Sequence, residues 1–502
     1  MKYQKISIIV LALCLIGIQN ISFSSGIENS STIIVPDDYK TIQEAIDYAN
    51  NNDTIFVKEG IYFESLIINK PINLIGENKE TTIIESIQSG YVISVYSNWV
   101  NLDSIMIQNC NTNFPGIAIF IYNSNNINLS NLRLQNNNIG TSILNSDDIS
   151  IYKNEYINNK IGIKSERDVY KSKNFFINSN IFLDNLQNSI YLSQIENSNI
   201  LENQISISLS TTYNFGLIIE ESNNLVLYKN EISGYATGIR VLLSDDIEIS
   251  ENIIQDNDVA GLYLYVSTAN IHDNIITNNG LLQLGITPRT ENGGIILIGR
   301  SPNKSPLQSH HLISKNIITN NKGYGLYIDR TSSTVKSNDF IQNTKDAFFF
   351  ESLNIWSENY WNYRRILPKI INGMQKTPIG IWKRGIQLDL YPATYPNIEI
   401  VEKMQGRFIQ EQTQYIDELS AENNNKIICT FVHGWLFNPV IKDNIINGNA
   451  IYIRCRDIIY DNAQAYIIKG FDEVSFRNGP FVRFSTFGML GSIAHVKGFY
   501  FH

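Results

Sequence analysis

The chain has 502 residues, of which 17% are charged, and its formal net charge at pH 7 is −9. A net negative charge argues against binding to nucleic acid or to an anionic membrane, because both attract basic surfaces. One ordinary core rarely extends over this length, so the chain forms either several domains or one domain built from repeats.

The N-terminal segment, residues 1–24, has the organisation of a secretory signal peptide. Lys2 and Lys5 give a positive start, an apolar stretch runs from Ile6 to about Ile18, and small residues follow it. An uncleaved anchor is the alternative, but the apolar stretch is short for a membrane-spanning helix. No second run approaches the ~20 apolar residues of a span. We therefore expect a protein that is secreted or displayed at the cell surface, with no membrane span after cleavage.

A single asparagine recurs through the middle of the chain, each time at the start of a short strand-like segment. Several of the intervals are 22 or 23 residues, and a fixed period in the twenties indicates a solenoid. A glycine often follows about eight residues later and is expected to mark a tight corner. The lead residues are Asn131, Asn154, Asn180, Asn230, Asn252, Asn274, Asn316 and Asn338.

The apolar runs of this repeat are short and alternating, as in Leu262, Leu264 and Val266. Each run ends in Asn, Asp or Gly, which predicts strands joined by turns rather than helices. A leucine-rich repeat is the competing solenoid, but its spaced leucines do not recur. We therefore predict an all-β parallel β-helix with coils ~4.8 Å apart. The asparagines are expected to adopt left-handed turns and to hydrogen-bond from coil to coil.

The two ends of the repeat region resemble a known superfamily. The opening "STIIVPDDYKTIQEAIDYANNNDTIFVKEGIYFESLIINKPINLIGEN" and the closing "NIWSENYWNY" at 354–363 are similar to the first and last coils of pectin-lyase-like proteins, and among them of exported NosD-like parallel β-helix repeat proteins. The resemblance covers roughly 31–395 and implies a right-handed, single-stranded parallel β-helix with an N-terminal capping helix at about Thr41 to Ala49. It implies function only weakly, because lyases, hydrolases, epimerases and non-enzymatic surface proteins share this fold.

The catalytic signatures of these relatives are missing from the sequence. The polygalacturonase type needs Gly-His-Gly and Arg-x-Lys, the pectate-lyase type Arg-x-Pro-x-x-Arg, and the epimerase type Asp-Pro-His, and none of them occurs. The copper role attached to NosD favours Met and His ligands, but the five Met and six His form no repeating cluster. We therefore predict no cofactor and no metal site, and the catalytic residues stay unknown.

One outward-facing column of side chains is the best candidate for a site. Leu262 and Leu264 are expected to point inward, so Tyr263 and Tyr265 point outward. Arg240, which precedes Tyr263 by one period, is expected to stand over it. The same column is predicted to contain Tyr191, Ile296, Tyr327 and Phe349, with the acids Glu220 and Asp329 close by.

Aromatic rings beside planar polar groups suit sugars, which offer apolar C–H faces and hydroxyl edges. Ordinary cross-strand stacking on an exposed sheet is the alternative for any single residue. The predicted partner is a polysaccharide or a cell-envelope glycan, and nucleic acid is not expected. The carbohydrate-binding candidates are Tyr191, Arg240, Tyr263, Tyr265, Tyr327 and Asp329.

Three insertions lengthen individual coils, near 166–173, 281–292 and 301–311. Long loops that project from a rigid scaffold often carry binding residues. The polar candidates in these loops are Arg289, Glu291 and His310.

Beyond residue 395 the period stops. Residues 400–502 are predicted to form a small β-rich accessory domain after a helix-like piece and a linker. Cys429 and Cys455 lie on neighbouring strand-like segments and can form a disulfide in an oxidising compartment. Because Cys110 makes the cysteine count of the exported chain odd, this pairing stays open.

Three functions fit the sequence. The first is an exported, non-catalytic β-helix protein that binds polysaccharide or a cell-envelope component through its aromatic sheet face. The second is a polysaccharide lyase or glycoside hydrolase with an atypical site on the same face. The third is a purely structural surface protein or adhesin, which needs no ligand groove.

Overall fold

The structure is a computed structural model, and it describes residues 30–85, 90–108, 116–166, 171–208, 213–281, 292–299, 310–365, 367–377 and 381–396, together with Ile446–Asn447 and Ile468–Lys469. The chain divides into two units, Met1–Tyr395 and Pro396–His502. The predicted signal peptide, the cysteines Cys110, Cys429 and Cys455, and almost all of the predicted accessory domain lie outside the described residues. These interpretations stay predictions.

The described residues contain one α-helix, α1, and a long succession of short strands. Helix α1 spans Ile42–Tyr48. The strands that precede the middle of the repeat region are β1 Thr32–Val35, β2 Thr54–Val57, β3 Gly60–Phe63, β4 Leu66–Ile68, β5 Asn73–Gly76, β6 Thr82–Glu85, β7 Tyr91–Val95, β8 Asn101–Asp103, β9 Met106–Gln108, β10 Ile117–Tyr122, β11 Ile127–Ser130, β12 Arg133–Gln135, β13 Ile139–Leu144, β14 Ile149–Tyr152, β15 Glu155–Ile157, β16 Ile161–Glu166, β17 Ser172–Lys173, β18 Phe175–Asn178, β19 Ile181–Leu183 and β20 Asn188–Ser193.

The remaining strands follow in the same order along the chain. They are β21 Ile195–Leu201, β22 Gln204–Ser206, β23 Phe215–Glu220, β24 Asn223–Tyr228, β25 Glu231–Ser233, β26 Thr237–Leu242, β27 Asp245–Ser250, β28 Ile253–Gln255, β29 Ala260–Tyr265, β30 Ala269–His272, β31 Ile275–Thr277, β32 Gly293–Ile298, β33 His310–Ser314, β34 Ile317–Thr319, β35 Tyr324–Asp329, β36 Ser332–Lys336, β37 Asp339–Ile341, β38 Lys345–Phe350, β39 Asn354–Ser357, β40 Tyr360–Trp361, β41 Lys369–Lys376, β42 Trp382–Asp389, β43 Ile446–Asn447 and β44 Ile468–Lys469.

Three strands make one coil, and equivalent strands of successive coils pair in parallel. The middle strand of each coil belongs to a 13-stranded sheet that runs from β3 to β40 and is called the thin face here. The strand that follows it belongs to the front face, which includes β7, β10, β13, β16, β20, β23, β26, β29, β32, β35 and β38. The strand that precedes it belongs to the back face, which includes β11, β14, β18, β21, β24, β27, β30, β33, β36 and β39. The predicted parallel β-helix is confirmed.

The core lies inside the coils because alternate residues of each strand point inward. In the ninth coil these residues are Ile247 and Ile249 on the back face, Ile254 on the thin face, and Leu262 and Leu264 on the front face. All five are at most 1% exposed. Burying such a side chain stabilises the fold by roughly 1.5–3 kcal/mol. Other coils repeat the pattern with different residues, and in the fifth coil the buried Ser165 takes the place of an apolar one.

An asparagine ladder fixes the corner between the back and thin faces. Each side-chain carbonyl accepts hydrogen bonds from the backbone N–H and the side-chain amide of the ladder residue one coil earlier, at 2.8–3.1 Å. The predicted coil-to-coil amide bonds are therefore confirmed. The members are Asn154, Asn180, Asn203, Asn230, Asn252, Asn274, Asn316, Asn338 and Asn359.

Two details of the predicted ladder were wrong. Asn131 is not a member, because Leu132 takes the ladder position and its N–H donates to the Oδ1 of Asn154 at 2.8 Å. The left-handed conformation also belongs to the residue before each ladder asparagine: Lys229, for example, has φ 55°, and the buried Asn230 does not have a positive φ.

The other two corners carry polar ladders of their own. On the far side of the thin face, Asn257 donates its side-chain amide to the Oδ1 of Asn279 at 2.9 Å. A Cβ added to Gly238 would lie 2.9 Å from the Nδ2 of Asn257, so this glycine is needed for close packing rather than for a turn. Between the front and back faces, the N–H of Ser222 donates to the Oγ of Ser244 at 3.0 Å.

The two ends of the solenoid are closed differently. At the N-terminal end, α1 begins with a capping box between Thr41 and Glu44, and it buries Ile42, Ala45 and Ile46 in the core. At the other end, β41 and β42 form an antiparallel hairpin. Asp389, which is fully buried, ends the asparagine ladder there: its Oδ2 accepts from Asn359 and from the indole N–H of Trp361.

Candidate functional site

The register of the front face brings most of the predicted column together. Arg240 pairs with Tyr263, and Tyr191 lies two coils before Arg240. Phe349 was assigned wrongly, because Phe348 pairs with Tyr327 while Phe349 points into the core and is fully buried. The middle column of the front face is Ser94, Phe120, Ser142, Lys164, Tyr191, Ile218, Arg240, Tyr263, Ile296, Tyr327 and Phe348.

A second outward column lies two residues further along each strand. It contains Glu220, Leu242, Tyr265, Ile298 and Asp329 in successive coils. Because side chains alternate along a strand, both columns project from the same surface of the sheet. We call the second set the outer column.

Arg240 is held between two aromatic rings. Its guanidinium carbon lies 4.9 Å from the centroid of Phe215 and 5.7 Å from the centroid of Tyr263. Such stacking restrains the long side chain and holds the charge by cation–π attraction. Among the described residues, no carboxylate forms an ion pair with Arg240. Partial burial raises the pKa of Tyr263, which Arg240 partly offsets, so this phenol stays protonated and uncharged near neutral pH.

Two polar pairs lie on the front face, one to three coils before Arg240. The hydroxyl of Tyr191 donates to the Oε2 of Glu220 at 2.7 Å. Burial, and then this carboxylate, raise the pKa of Tyr191 to about 12, so Tyr191 acts as a hydrogen-bond donor. One coil before Tyr191, the Nζ of Lys164 lies 2.9 Å from the Oε1 of Glu166. These groups give the middle of the face both donors and acceptors.

The predicted candidates differ in how much of them a ligand could reach. Tyr265 is 41% exposed, and Arg240 and Tyr263 are half-buried. Tyr327 is only 6% exposed and Asp329 only 7%. The carboxylate of Asp329 accepts from both Nε and Nη2 of Arg330 at 2.7 Å. Tyr327 and Asp329 therefore belong to the packed part of the face, and we leave them out of the accessible surface.

The C-terminal part of the front face is an apolar cluster outside the main core. Ile296 is 1% exposed, and it packs with Tyr327, Phe348 and Phe350. The rings of Tyr327 and Phe348 are stacked, with centroids 5.9 Å apart. Cross-strand packing accounts for this cluster without a ligand.

A second group of aromatic residues, which the sequence interpretation missed, lies on the second and third coils. Phe120 stacks on Tyr91 with centroids 4.5 Å apart, and Tyr96 meets both Phe120 and Tyr122 edge-on at 6.4 and 6.3 Å. Tyr96 is 44% exposed. The signal is present in the sequence as "YVISVY" and "IAIFIY", each of which carries two aromatic residues; in the register of β7 and β10, Tyr96 corresponds to Tyr122, whereas Tyr91 pairs with Ile117 and Phe120 with Ser94.

The loop candidates have mixed outcomes. Arg289 and Glu291 lie outside the described residues. His310 was expected in a loop but is the first residue of β33, exposed, with ring nitrogens 3.2 and 3.1 Å from the hydroxyls of Ser332 and Thr334. His311 points inward and is 2% exposed.

One cluster of titratable groups on the back face is paired within itself. The ring nitrogens of His272 lie 2.8 Å from a carboxylate oxygen of Asp273 and 3.2 Å from one of Glu248. Within the described ranges, no group of three or more His, Cys, Asp or Glu side chains is arranged to hold a metal ion. No helix in the same ranges has the length and apolar character needed to cross a membrane.

One family of known proteins matches part of the chain. The family described as "Right handed beta helix region" matches residues 169–305. No curated protein sequence matches the chain. A PL6 alginate lyase in complex with a trisaccharide shares 12% identity, with 74% of this chain and 95% of that chain covered and a TM-score of 0.49.

Two further solved structures are similar to a comparable degree. The A-module of the mannuronan C-5 epimerase AlgE6 from Azotobacter vinelandii shares 13% identity over 61% of this chain and 90% of that chain, with a TM-score of 0.44. The Dettilon tailspike protein gp208 shares 11% identity over 72% and 76%, with a TM-score of 0.47. Residues 169–305 thus match the right-handed β-helix family, and the stacked parallel strands of the described residues have the β-helix fold.

Proposed function

We propose that this chain is an exported protein that binds polysaccharide, or another glycan of a cell envelope, through the accessible part of the front face and without catalysing a reaction on it. The observation that carries the proposal is the guanidinium of Arg240, which is stacked between Phe215 and Tyr263 and has no carboxylate partner among the described residues. Export rests on the signal peptide predicted for residues 1–24.

The chemistry of this surface suits a sugar ring. Tyr265 offers an exposed ring on which the C–H face of a sugar can lie. Arg240 presents several fixed N–H donors to hydroxyl or carboxylate oxygens, and its rotamers are already restricted by the two rings. Glu220 and Tyr191 lie on neighbouring coils and add a carboxylate acceptor. Several weak contacts on a rigid sheet favour a repeating ligand over a small metabolite.

Binding is tested on a panel of disaccharides and hexasaccharides of glucose, N-acetylglucosamine, galacturonate and mannuronate. We expect at least one hexasaccharide to bind the whole chain, and Tyr263→Ala and Arg240→Ala to weaken this binding about tenfold or more, as expected when a stacked contact is lost. Affinities are measured by isothermal titration calorimetry. Arg240→Lys keeps the charge but loses the planar stack, so its affinity is expected to lie between that of the unaltered chain and that of Arg240→Ala.

Tyr228→Ala is the matched control for Tyr263→Ala. Tyr228 is a half-buried tyrosine of the back face, and the Nζ of Lys229 lies 5.0 Å from the centroid of its ring. We expect this variant to bind as the unaltered chain does. If all four variants bind with the affinity of the unaltered chain, the front face is refuted as the binding surface. No binding by any saccharide would favour a purely structural role.

A glycoside hydrolase is the second candidate, because the outer column continues towards the N-terminus through Ser193 to a second carboxylate, Glu166. Because Ser165 pairs with Leu192, the next residues, Glu166 and Ser193, are in register. Ser193 in turn pairs with Glu220. Glu166 and Glu220 are thus two coils apart, ~9.6 Å between backbones at 4.8 Å per coil. This backbone spacing is close to the ~6.5–9.5 Å by which the two carboxyl groups of inverting glycosidases are separated. Release of reducing ends from the panel, abolished in Glu220→Gln, would replace the non-catalytic proposal.

A further inference from the structure

The accessible part of the front face has aromatic residues at both of its ends. We call Tyr91, Tyr96, Phe120 and Tyr122 the N-terminal platform, and Phe215, Arg240, Tyr263 and Tyr265 the Arg240 platform. In the middle column, the register from Phe120 to Arg240 passes through Ser142, Lys164, Tyr191 and Ile218, one residue per coil.

In the middle and outer columns, the coils between the platforms are mainly polar, and Leu144 is the partly exposed apolar exception. Ser142 and Ser193 are small, and Lys164, Tyr191 and Glu220 supply hydrogen-bonding groups. Five steps separate Phe120 from Arg240, which is ~24 Å at 4.8 Å per coil. Two aromatic platforms thus flank a polar strip that runs along the solenoid axis.

The N-terminal platform has the geometry of a preformed stacking surface. The ring of Phe120 is nearly parallel to those of Tyr91 and Tyr122, with interplanar angles of 15° and 14°. Tyr96 packs edge-on against Phe120 and Tyr122 and still exposes 44% of its surface. Rings held in this way lose little conformational entropy when a ligand stacks on them.

We infer that one linear polysaccharide chain lies along the solenoid axis and occupies the N-terminal platform and the Arg240 platform at the same time. This inference rests on the proposed function and adds a second subsite and a minimum ligand length to it. A ligand that reaches both platforms binds more tightly, because after the first contact the second one forms within the same complex. A disaccharide is too short to span ~24 Å. Affinity should therefore rise steeply with chain length.

The test uses Tyr96→Ala and Tyr122→Ala with the disaccharide and the hexasaccharide of the sugar that binds best in the panel. We expect each substitution to weaken the hexasaccharide about tenfold and to leave the disaccharide, held by the Arg240 platform, unchanged. Arg240→Ala should weaken both. Phe176→Ala, which removes a 37% exposed ring of the back face, is the matched control and should change neither.

The possible outcomes separate this inference from the proposed function. If Arg240→Ala weakens binding but Tyr96→Ala and Tyr122→Ala do not, the second subsite is refuted and the proposed function stands. If no saccharide binds, both are refuted. Tyr96→Ala is the decisive variant, because its exposed ring makes misfolding a poor explanation, and an unchanged thermal unfolding midpoint checks this point.

Discussion

Asn252→Asp is expected to lower the free energy of unfolding by about 3–5 kcal/mol, although it exchanges only one amide group for a carboxylate. Asn252 is fully buried. Its Nδ2 donates to the carbonyls of Leu227 and Ser250 and to the Oδ1 of Asn274, at 2.8–3.0 Å. A carboxylate oxygen in place of this Nδ2 would lie against three oxygen acceptors and could donate a hydrogen bond to none of them. Equilibrium urea unfolding followed by circular dichroism measures the change.

The reciprocal substitution Asp389→Asn is the control, because it makes the opposite exchange at the end of the same ladder. The Oδ2 of Asp389 only accepts, from Asn359 and Trp361, and an amide oxygen can take over that role. The Oδ1 accepts from the N–H of Tyr391 at 3.2 Å, so an amide nitrogen there loses one bond, at about 1 kcal/mol. Equal losses in the two variants would contradict the direction of hydrogen bonding assigned to the ladder.

The second large effect is a loss of stability in acid that depends on His311. Burial, with a smaller contribution from the neighbouring His310, lowers the pKa of His311 to about 3. In the unfolded chain a histidine titrates near pH 6.5, so below that pH the unfolded state binds a proton that the folded state does not bind. Stability therefore falls as the pH decreases from about 6.5 towards 3, and the loss reaches about 2 kcal/mol at pH 5.

His311→Leu removes this dependence and keeps a side chain of similar size. We expect the difference in unfolding free energy between the variant and the unaltered chain to shift in favour of the variant by about 2 kcal/mol between pH 6.5 and pH 5. His310→Gln is the control, since His310 is exposed and its loss should leave the acid dependence nearly unchanged. Parallel pH profiles for His311→Leu and the unaltered chain would show that His311 is not buried and neutral.

Most of the fold could be predicted because the repeat supplies the same information many times. The period, the alternation around Leu262 and Leu264, and the buried asparagines give the register of one coil, and stacking then gives the register of the next. Arg240 was placed over Tyr263 in this way, and the contact is present. The errors fall where a single coil departs from the pattern.

Phe349 and Asn131 show how a local departure misleads. In "KDAFFF" three consecutive phenylalanines remove the alternation, so the sequence does not tell which of them points outward, and a slip of one residue reverses the face. In "SNLRL" the asparagine stands one residue before the ladder position, and Leu132 fills that position instead.

The site was only partly predictable for a different reason. Sequence spacing gives the direction of a side chain, but it does not tell what covers it. Tyr327 points outward as predicted and is nevertheless buried beside Phe348 and Ile296. The N-terminal platform was missed because its coils carry a different pattern of glycines from the coils used to set the register.

The most direct test of the central claim is the position of a bound oligosaccharide. A crystal of the whole chain soaked with the hexasaccharide that binds best in the panel should show sugar rings stacked over Tyr263 and Tyr265, with a hydroxyl or carboxylate oxygen within hydrogen-bonding distance of Arg240. Sugar density on the back face or the thin face, with the Arg240 platform empty, would contradict the account.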